Sequence, residues 1–453
     1  MPQDGWRSYF IIGEQTDWDT QLTGGGSMKQ IIYELISTTL AGASDPITPT
    51  RIHRNPSPVK NIPGVLNAGG DIVLHHHPEH MLMFWKHLLL DDATDTDFTA
   101  QEVYGNGAGV GKAYTATNSL DTQPSATTTP SDPGKMIVTL ASETGAPGTV
   151  IITGTDQNGT AITETLSFTT GDESQTTTFY FQTVNVNGVT TSGLNNDGTM
   201  LIMCDKNIYT HVFALGDNVY VDEAADKHGL TIELVKGAIP NTYVGCLLNS
   251  GTLELADTTT LTLNILAKQA NYRLALDGTG TATDISGFGD MMDATYPDAD
   301  DIFPGWGMAV QLDSVQTDVE SASFSFSNNL DYPTRYKASR PMSKPVRQGD
   351  RDISFTCAVD YEAVADGGVN FDDKYYGDVP IAVIFSAVSK PYAGPEYTIS
   401  LSLPRCQLIA HSDPEVGGQG DLLQTLTLRP IRTVGATTSD EAVLTIVSTE
   451  AAE

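Results

Sequence analysis

Short runs in which apolar and polar residues alternate, broken roughly every ten positions by Gly, Thr, Ser, Asn or Asp, fill most of this chain. A period of two puts every second side chain on the same face of an extended strand. Leu253 and Leu255, then Leu261, Leu263 and Ile265, follow this rule. LTIELV at 230–235 and TISLSL at 398–403 read the same way. The expected class is therefore mainly β, with convincing helix chiefly after Pro78.

The 453 residues, 40% of them hydrophobic, suffice for two or three domains with cores of their own. The charge is 24 Lys+Arg against 56 Asp+Glu, or −32. Such a surface repels phosphates, so a protein that reads DNA is disfavoured. The start, MPQDGWRSYF, has no basic stretch leading into an apolar one, and no apolar run reaches the length of a membrane helix. The expectation is a soluble protein, made in the cytoplasm, with no membrane partner. Cys204, Cys246, Cys357 and Cys406 form no CxxC pair and read as four buried thiols.

Between about 105 and 135, GNGAGVGKAYTATNSLDTQPSATTTPSDPGK offers little to fill a core and reads as a linker. After it, MIVTL, TVIITGT, AITETLSFTT and FYFQTVNVNGVT are strand-like, and Asn158-Gly159 supplies the positive φ of a tight hairpin. The block at 133–204 has the size of a small immunoglobulin-like sandwich. The simplest organisation is an insertion: linker and inserted domain over 126–205, and a discontinuous host domain over 1–125 and 206–453.

Several motifs point to chemistry and fall short. In GNGAGVGKA, Asn106 occupies the place of the first P-loop Gly, and Ala113 follows Lys112 where a hydroxyl should hold magnesium. The acidic runs DDATDTD at 91–97 and PDADD at 297–301 lack the spacing of a calcium loop. No GxSxG or HExxH motif occurs, so no catalytic residue, cofactor or enzyme activity is expected.

DIVLHHHPEHMLMFWKHLLL at 71–90 holds five of the nine histidines. Alternation sends Val73, His75 and His77 to one face and Ile72, Leu74 and His76 to the other, so they do not converge on a metal. Pro78 suits a first helical turn, with Glu79 at its positive end. Met81, Leu82, Trp85, Leu88 and Leu89 then form an apolar stripe. The stretch reads as a strand that turns into a core-packing helix, with no metal bound. A narrower expectation remains at the turn: that His76, His77 or His80 meets a carboxylate of another subunit and makes assembly sensitive to pH near 6.

The chain's one concentration of positive charge is TRYKASRPMSKPVRQGDR at 334–351. Arg335, Lys337, Arg340, Lys344, Arg347 and Arg351 are six of 24 basic residues and form a candidate subunit interface for an acidic neighbour.

Four stretches, in this order, resemble the tail tube proteins of long-tailed bacteriophages. They are IIGEQTDWDT at 11–20; NIPGVLNAGGDIVLHHHPEHMLMFWKHLLL at 61–90; NIYTHVFAL at 207–215 with LTIELVKGAIPNTYVGCLLNSGTLEL at 230–255; and VESASFSFSNNLDYPTRY at 319–336. The resemblance implies a barrel-like β-sandwich with a flanking helix and hexameric rings stacked into the virion's tail tube, the conduit for DNA ejection. Its partners would be other copies of itself, the tape measure, tail terminator and distal tail proteins, and DNA in non-specific transit. The block at 133–204 departs from the compact family pattern and resembles the immunoglobulin-like additions of phage tails. The rival reading is a surface adhesin or carbohydrate-binding β-sandwich, which would normally carry an export signal.

Overall fold

The computed structural model describes residues 9–15, 29–31, 35–44, 66–78, 81–89, 94–97, 101–104, 112–113, 134–141, 148–156, 159–169, 173–194, 198–205, 209–215, 229–236, 239–272, 303–331, 344–360, 369–389, 397–412, 423–432 and 441–448. They are overwhelmingly strand and divide into two compact units. One comprises Met1–Ala93, Phe213–Ala387 and Ile399–Leu444, and the other Thr94–Val212, Val388–Thr398 and Thr445–Glu453.

The first unit is built on one strand, Ile239–Leu255, of 17 residues. Its first half pairs with Leu230–Lys236 on one side and Gln269–Tyr272 on the other. Its second half pairs with Thr259–Ala267 and Val319–Ser327. The changeover lies near Gly245, whose φ of 64° and the irregular register opposite it mark a bulge. From the second half the antiparallel sheet runs one way through Thr259–Ala267 to Leu66–His75. The other way it runs through Val319–Ser327, Asp352–Asp360 and Leu423–Pro430 to Tyr397–His411. Because the long strand exchanges partners midway, its two halves serve different limbs. The described strands therefore form no closed barrel, which corrects the barrel expectation while the mainly-β class stands.

The expected alternation is present where one face is core. Leu253, Leu255, Leu261, Leu263 and Ile265 are all buried, as are Ile399, Leu401 and Leu403. The 230–235 strand differs, because Thr231 and Glu233 are buried along with Leu230, Ile232 and Leu234. Gln15 Nε2 donates to Thr231 Oγ1 at 2.7 Å, and burial pushes the Glu233 carboxyl up to about 6. All four cysteines are buried thiols, and burial raises Cys357 and Cys406 to about 12.

Helix α1, Leu82–Leu89, buries every side chain except Lys86. It starts later than the sequence predicts. The His76 N–H is tied to Thr259 O at 2.9 Å, and Met81 O accepts the first helical bonds, from Phe84 N at 3.1 Å and Trp85 N at 3.2 Å. Pro78 thus lies ahead of the helix; Glu79 and His80 fall outside the described residues. Gly251 makes room for this helix, since a Cβ there would meet Leu88 Cδ2 at 2.5 Å.

The second unit holds a two-sheet sandwich. One sheet orders Ala161–Phe168, Gly148–Thr155 and Thr183–Ser192. The other orders Glu173–Phe181, Gly134–Ala141 and Thr199–Asp205, extended by Gln101–Tyr104 and Lys112–Ala113. Val138, Ile152, Phe168, Phe181, Val189 and Ile202 share its core. Val103 joins them, so the sandwich draws on strands upstream of residue 126, and Lys112–Ala113 lies in a sheet where a linker was expected. Gly159 has φ +76°; its N–H donates to Asp156 O at 3.0 Å, closing the hairpin the sequence predicts there, while Asn158 is outside the described residues.

Gly70 (φ +146°) sits where two short strands, Leu35–Thr38 and Ala41–Ser44, share the edge of Leu66–His75. An added Cβ would lie 2.7 Å from Leu40 N and from the Thr39 carbonyl. Gly70→Ala should therefore destabilise the unit by about 2 kcal/mol, read as a lower denaturation midpoint in urea.

Candidate assembly site

The histidine turn is a packing element. His76 is fully buried and accepts a hydrogen bond at Nε2 from Trp85 Nε1–H at 3.0 Å, with Phe303 packed beside its ring at 5.6 Å. Burial, reinforced by neighbouring His77, lowers its pKa to about 3. His76 therefore stays neutral from pH 5 to 8, which removes it from the expected pH sensor. His77 is only 2% exposed, and His80 is outside the described residues. Among the described residues no three His, Cys, Asp or Glu side chains are grouped to hold a metal.

The far end of α1 meets a chain of amides drawn from three of the four resembling stretches and from the neighbouring 259–267 strand. Asn328, wholly buried, donates Nδ2–H to Leu88 O at 3.0 Å and to Leu248 O at 3.3 Å. Leu88 O belongs to the last turn of α1, whose carbonyls lack helical partners, so Asn328 caps the helix from the sheet. The Asn328 N–H in turn donates to Asn249 O at 2.7 Å, and Asn249 Oδ1 accepts from Leu330 N at 2.8 Å. Asn249 Nδ2–H donates to Asn264 Oδ1 at 3.2 Å, and Asn264 Nδ2–H to Asp71 Oδ1 at 2.7 Å. Each bond contributes about 1 kcal/mol, and stranding one buried member costs more than that. The loose Asn-Asn-Leu-Asp signal at 328–331 was the sequence's only hint of this network.

The same network launches the basic segment. Leu330–Asp331 pairs antiparallel with Val346–Arg347, the Gln348 N–H donates to Asn329 O at 2.9 Å, and the Asn329 amide reaches Asp350 O. Asn329 adopts φ 49°, a turn conformation that Asn tolerates. The two ends of the segment are thereby held side by side. Lys344, Arg347 and Arg351 are half-buried, and Arg347 Nε is shut from solvent with no acceptor among the described residues. Arg335, Lys337 and Arg340 lie outside the described residues.

At the other side of α1, Lys86 Nζ lies 3.0 Å from Glu14 Oε2, and His87 Nε2 lies 3.5 Å from Glu14 Oε1. The close approach of His87 leads, with Lys86 adding to it and burial opposing, in lowering the Glu14 carboxyl to about 2. A depressed carboxyl stabilises the fold above its ordinary value near 4.5, and that stability is lost as pH falls toward 2. Glu14→Gln should cost about 1 kcal/mol at pH 7, allowing for screening of a partly exposed pair, and progressively less as pH falls from about 4.5 to 2. Urea denaturation across that pH range measures it.

No curated protein matches this sequence. A family model described as phage tail tube protein matches residues 212–430. The match opens at Val212, next to the residue at which the first unit resumes after the sandwich, and closes at Pro430, the end of the Leu423–Pro430 strand. It takes in the long central strand, Asn249, Asn264, Asn328 and the whole basic segment. Over residues 212–430 this chain is similar to phage tail tube proteins, structural components of the virion tail.

Proposed function

We propose that the protein assembles with copies of itself into hexameric rings, which stack into the tube that conducts DNA during ejection. The observation that carries this reading is the coincidence of the family match with the sheet-forming unit and its basic segment. Two physical features support it. An acidic lining lets phosphates pass without forming the contacts by which basic proteins hold DNA, which suits a chain of net charge −32. Sheets with open edges can also complete their hydrogen bonding across a ring, which leaves no free edge to aggregate. The tape measure, tail terminator and distal tail proteins are the partners such a tube requires, and the enclosed virion tail is its place of action.

The basic segment from Arg335 to Arg351 bridges adjacent subunits or rings. With only 24 cations against 56 carboxylates per chain, neighbouring copies repel unless cations are concentrated at their contact. Reversing Arg340, Lys344 and Arg347 to Glu should abolish tubes while leaving the subunit folded by circular dichroism. Ordinary tubes from that variant overturn the role, and a wild-type protein that stays monomeric in negative stain favours the adhesin reading.

The sandwich is an immunoglobulin-like insertion that faces outward. Its pairings support the reading: 134–141 with 173–181 in one sheet, and 148–155 between 161–168 and 183–192 in the other. These five strands follow the order of B with E, and of C between C′ and F, in that fold, while the sixth, Thr199–Asp205, departs from it by pairing with 134–141 and not beside 183–192. The flanking strands Thr94–Asp97 and Tyr209–Ala214 pair with Asp97 opposite Tyr209, so its two ends emerge together. Replacing 98–208 with a short Gly/Asn turn should leave tubes of unchanged bore in cryo-microscopy; loss of tubes would place the sandwich in the wall.

A further inference from the structure

Beside the central strand of the first unit lies a recess of about 530 Å³. Its floor is apolar, formed by buried Leu255, Ala322 and Phe385. Around it stand Asp257, Asp318 and Glu320, all exposed. Their side chains make no hydrogen bond or ion pair among the described residues. Three uncompensated carboxylates over an apolar floor match the chemistry of a Lys or Arg side chain, which brings an aliphatic stem and a charged head.

We propose that this recess receives the basic segment, Arg335 to Arg351, of a neighbouring copy. The proposal rests on the tube reading above and supplies the acceptor that reading leaves unnamed. Charge selects the occupant. A copy of net charge −32 brings mostly negative charge to the three carboxylates, whereas this segment holds six of the chain's 24 cations. Its proline-bearing sequence, SRPMSKPVRQ at 339–348, is also stiffened in the way that reduces the ordering cost of docking. Arg347, whose Nε is sealed off without an acceptor, leaves its outer nitrogens to the partner.

The test is a charge swap in the full chain. Asp318→Lys with Glu320→Lys should lower the yield of sedimenting tubes at least tenfold with the melting curve unchanged. Adding Arg340→Glu, Lys344→Glu and Arg347→Glu to that variant should restore tubes. If groove reversal leaves tubes intact while the basic reversal removes them, the recess is not the acceptor and the tube reading survives. A block that the swap does not relieve gives the recess another occupant and overturns the proposal. If unaltered protein forms no tubes, the tube reading fails, and cysteine crosslinking decides the recess by itself. Glu320→Cys protein mixed with Lys344→Cys protein should give a mixed disulfide dimer over a low background, since the four native cysteines are buried. No mixed dimer overturns the proposal.

Discussion

The Ile239–Leu255 strand is the constraint on which the first unit depends. An extended segment of 17 residues exposes more backbone donors and acceptors than one neighbour can satisfy, and this one takes four partner strands by changing neighbours halfway. The bulge at Gly245 lets each half follow its own limb. Helix α1 then lies across the second half, where Gly251 admits Leu88 and Asn328 takes up the helix's loose carbonyl. Packing and polar satisfaction thus meet at one place, and the basic segment starts from it.

Electrostatics sets the second constraint. A subunit of net charge −32 gains nothing from pressing arbitrary faces against its copies. The proposed assembly needs cations gathered where copies meet and carboxylates left free to receive them. Inside the subunit the same scarcity shows at Glu14, which draws on both Lys86 and His87. Burial keeps His76 neutral at the same time.

Much of the fold was legible because alternation reports a strand that is buried on one face. Leu261, Leu263 and Ile265 read correctly for that reason, as did the buried stripe of α1. The reading lost precision wherever a second layer intervened. Glu233 alternates as a solvent-facing residue should, yet both faces of its strand are covered. Pro78 has the chemistry of a helix start, but the His76 bond to Thr259 keeps the chain on the sheet for longer. Val103 looks like the edge of a linker and instead fills the sandwich core.

The sequence by itself determined the class, the insertion-like change of composition and the concentration of cations at 335–351. These depend on local periodicity and on charge, which the order of residues states directly. Only the tertiary structure decided that Asp71, Asn249, Asn264 and Asn328 form one chain of hydrogen bonds, and that Asp257, Asp318 and Glu320 surround one recess. Residues up to 257 positions apart, Asp71 and Asn328, meet there because strand pairing places distant segments side by side, and no local pattern encodes which strands will be neighbours.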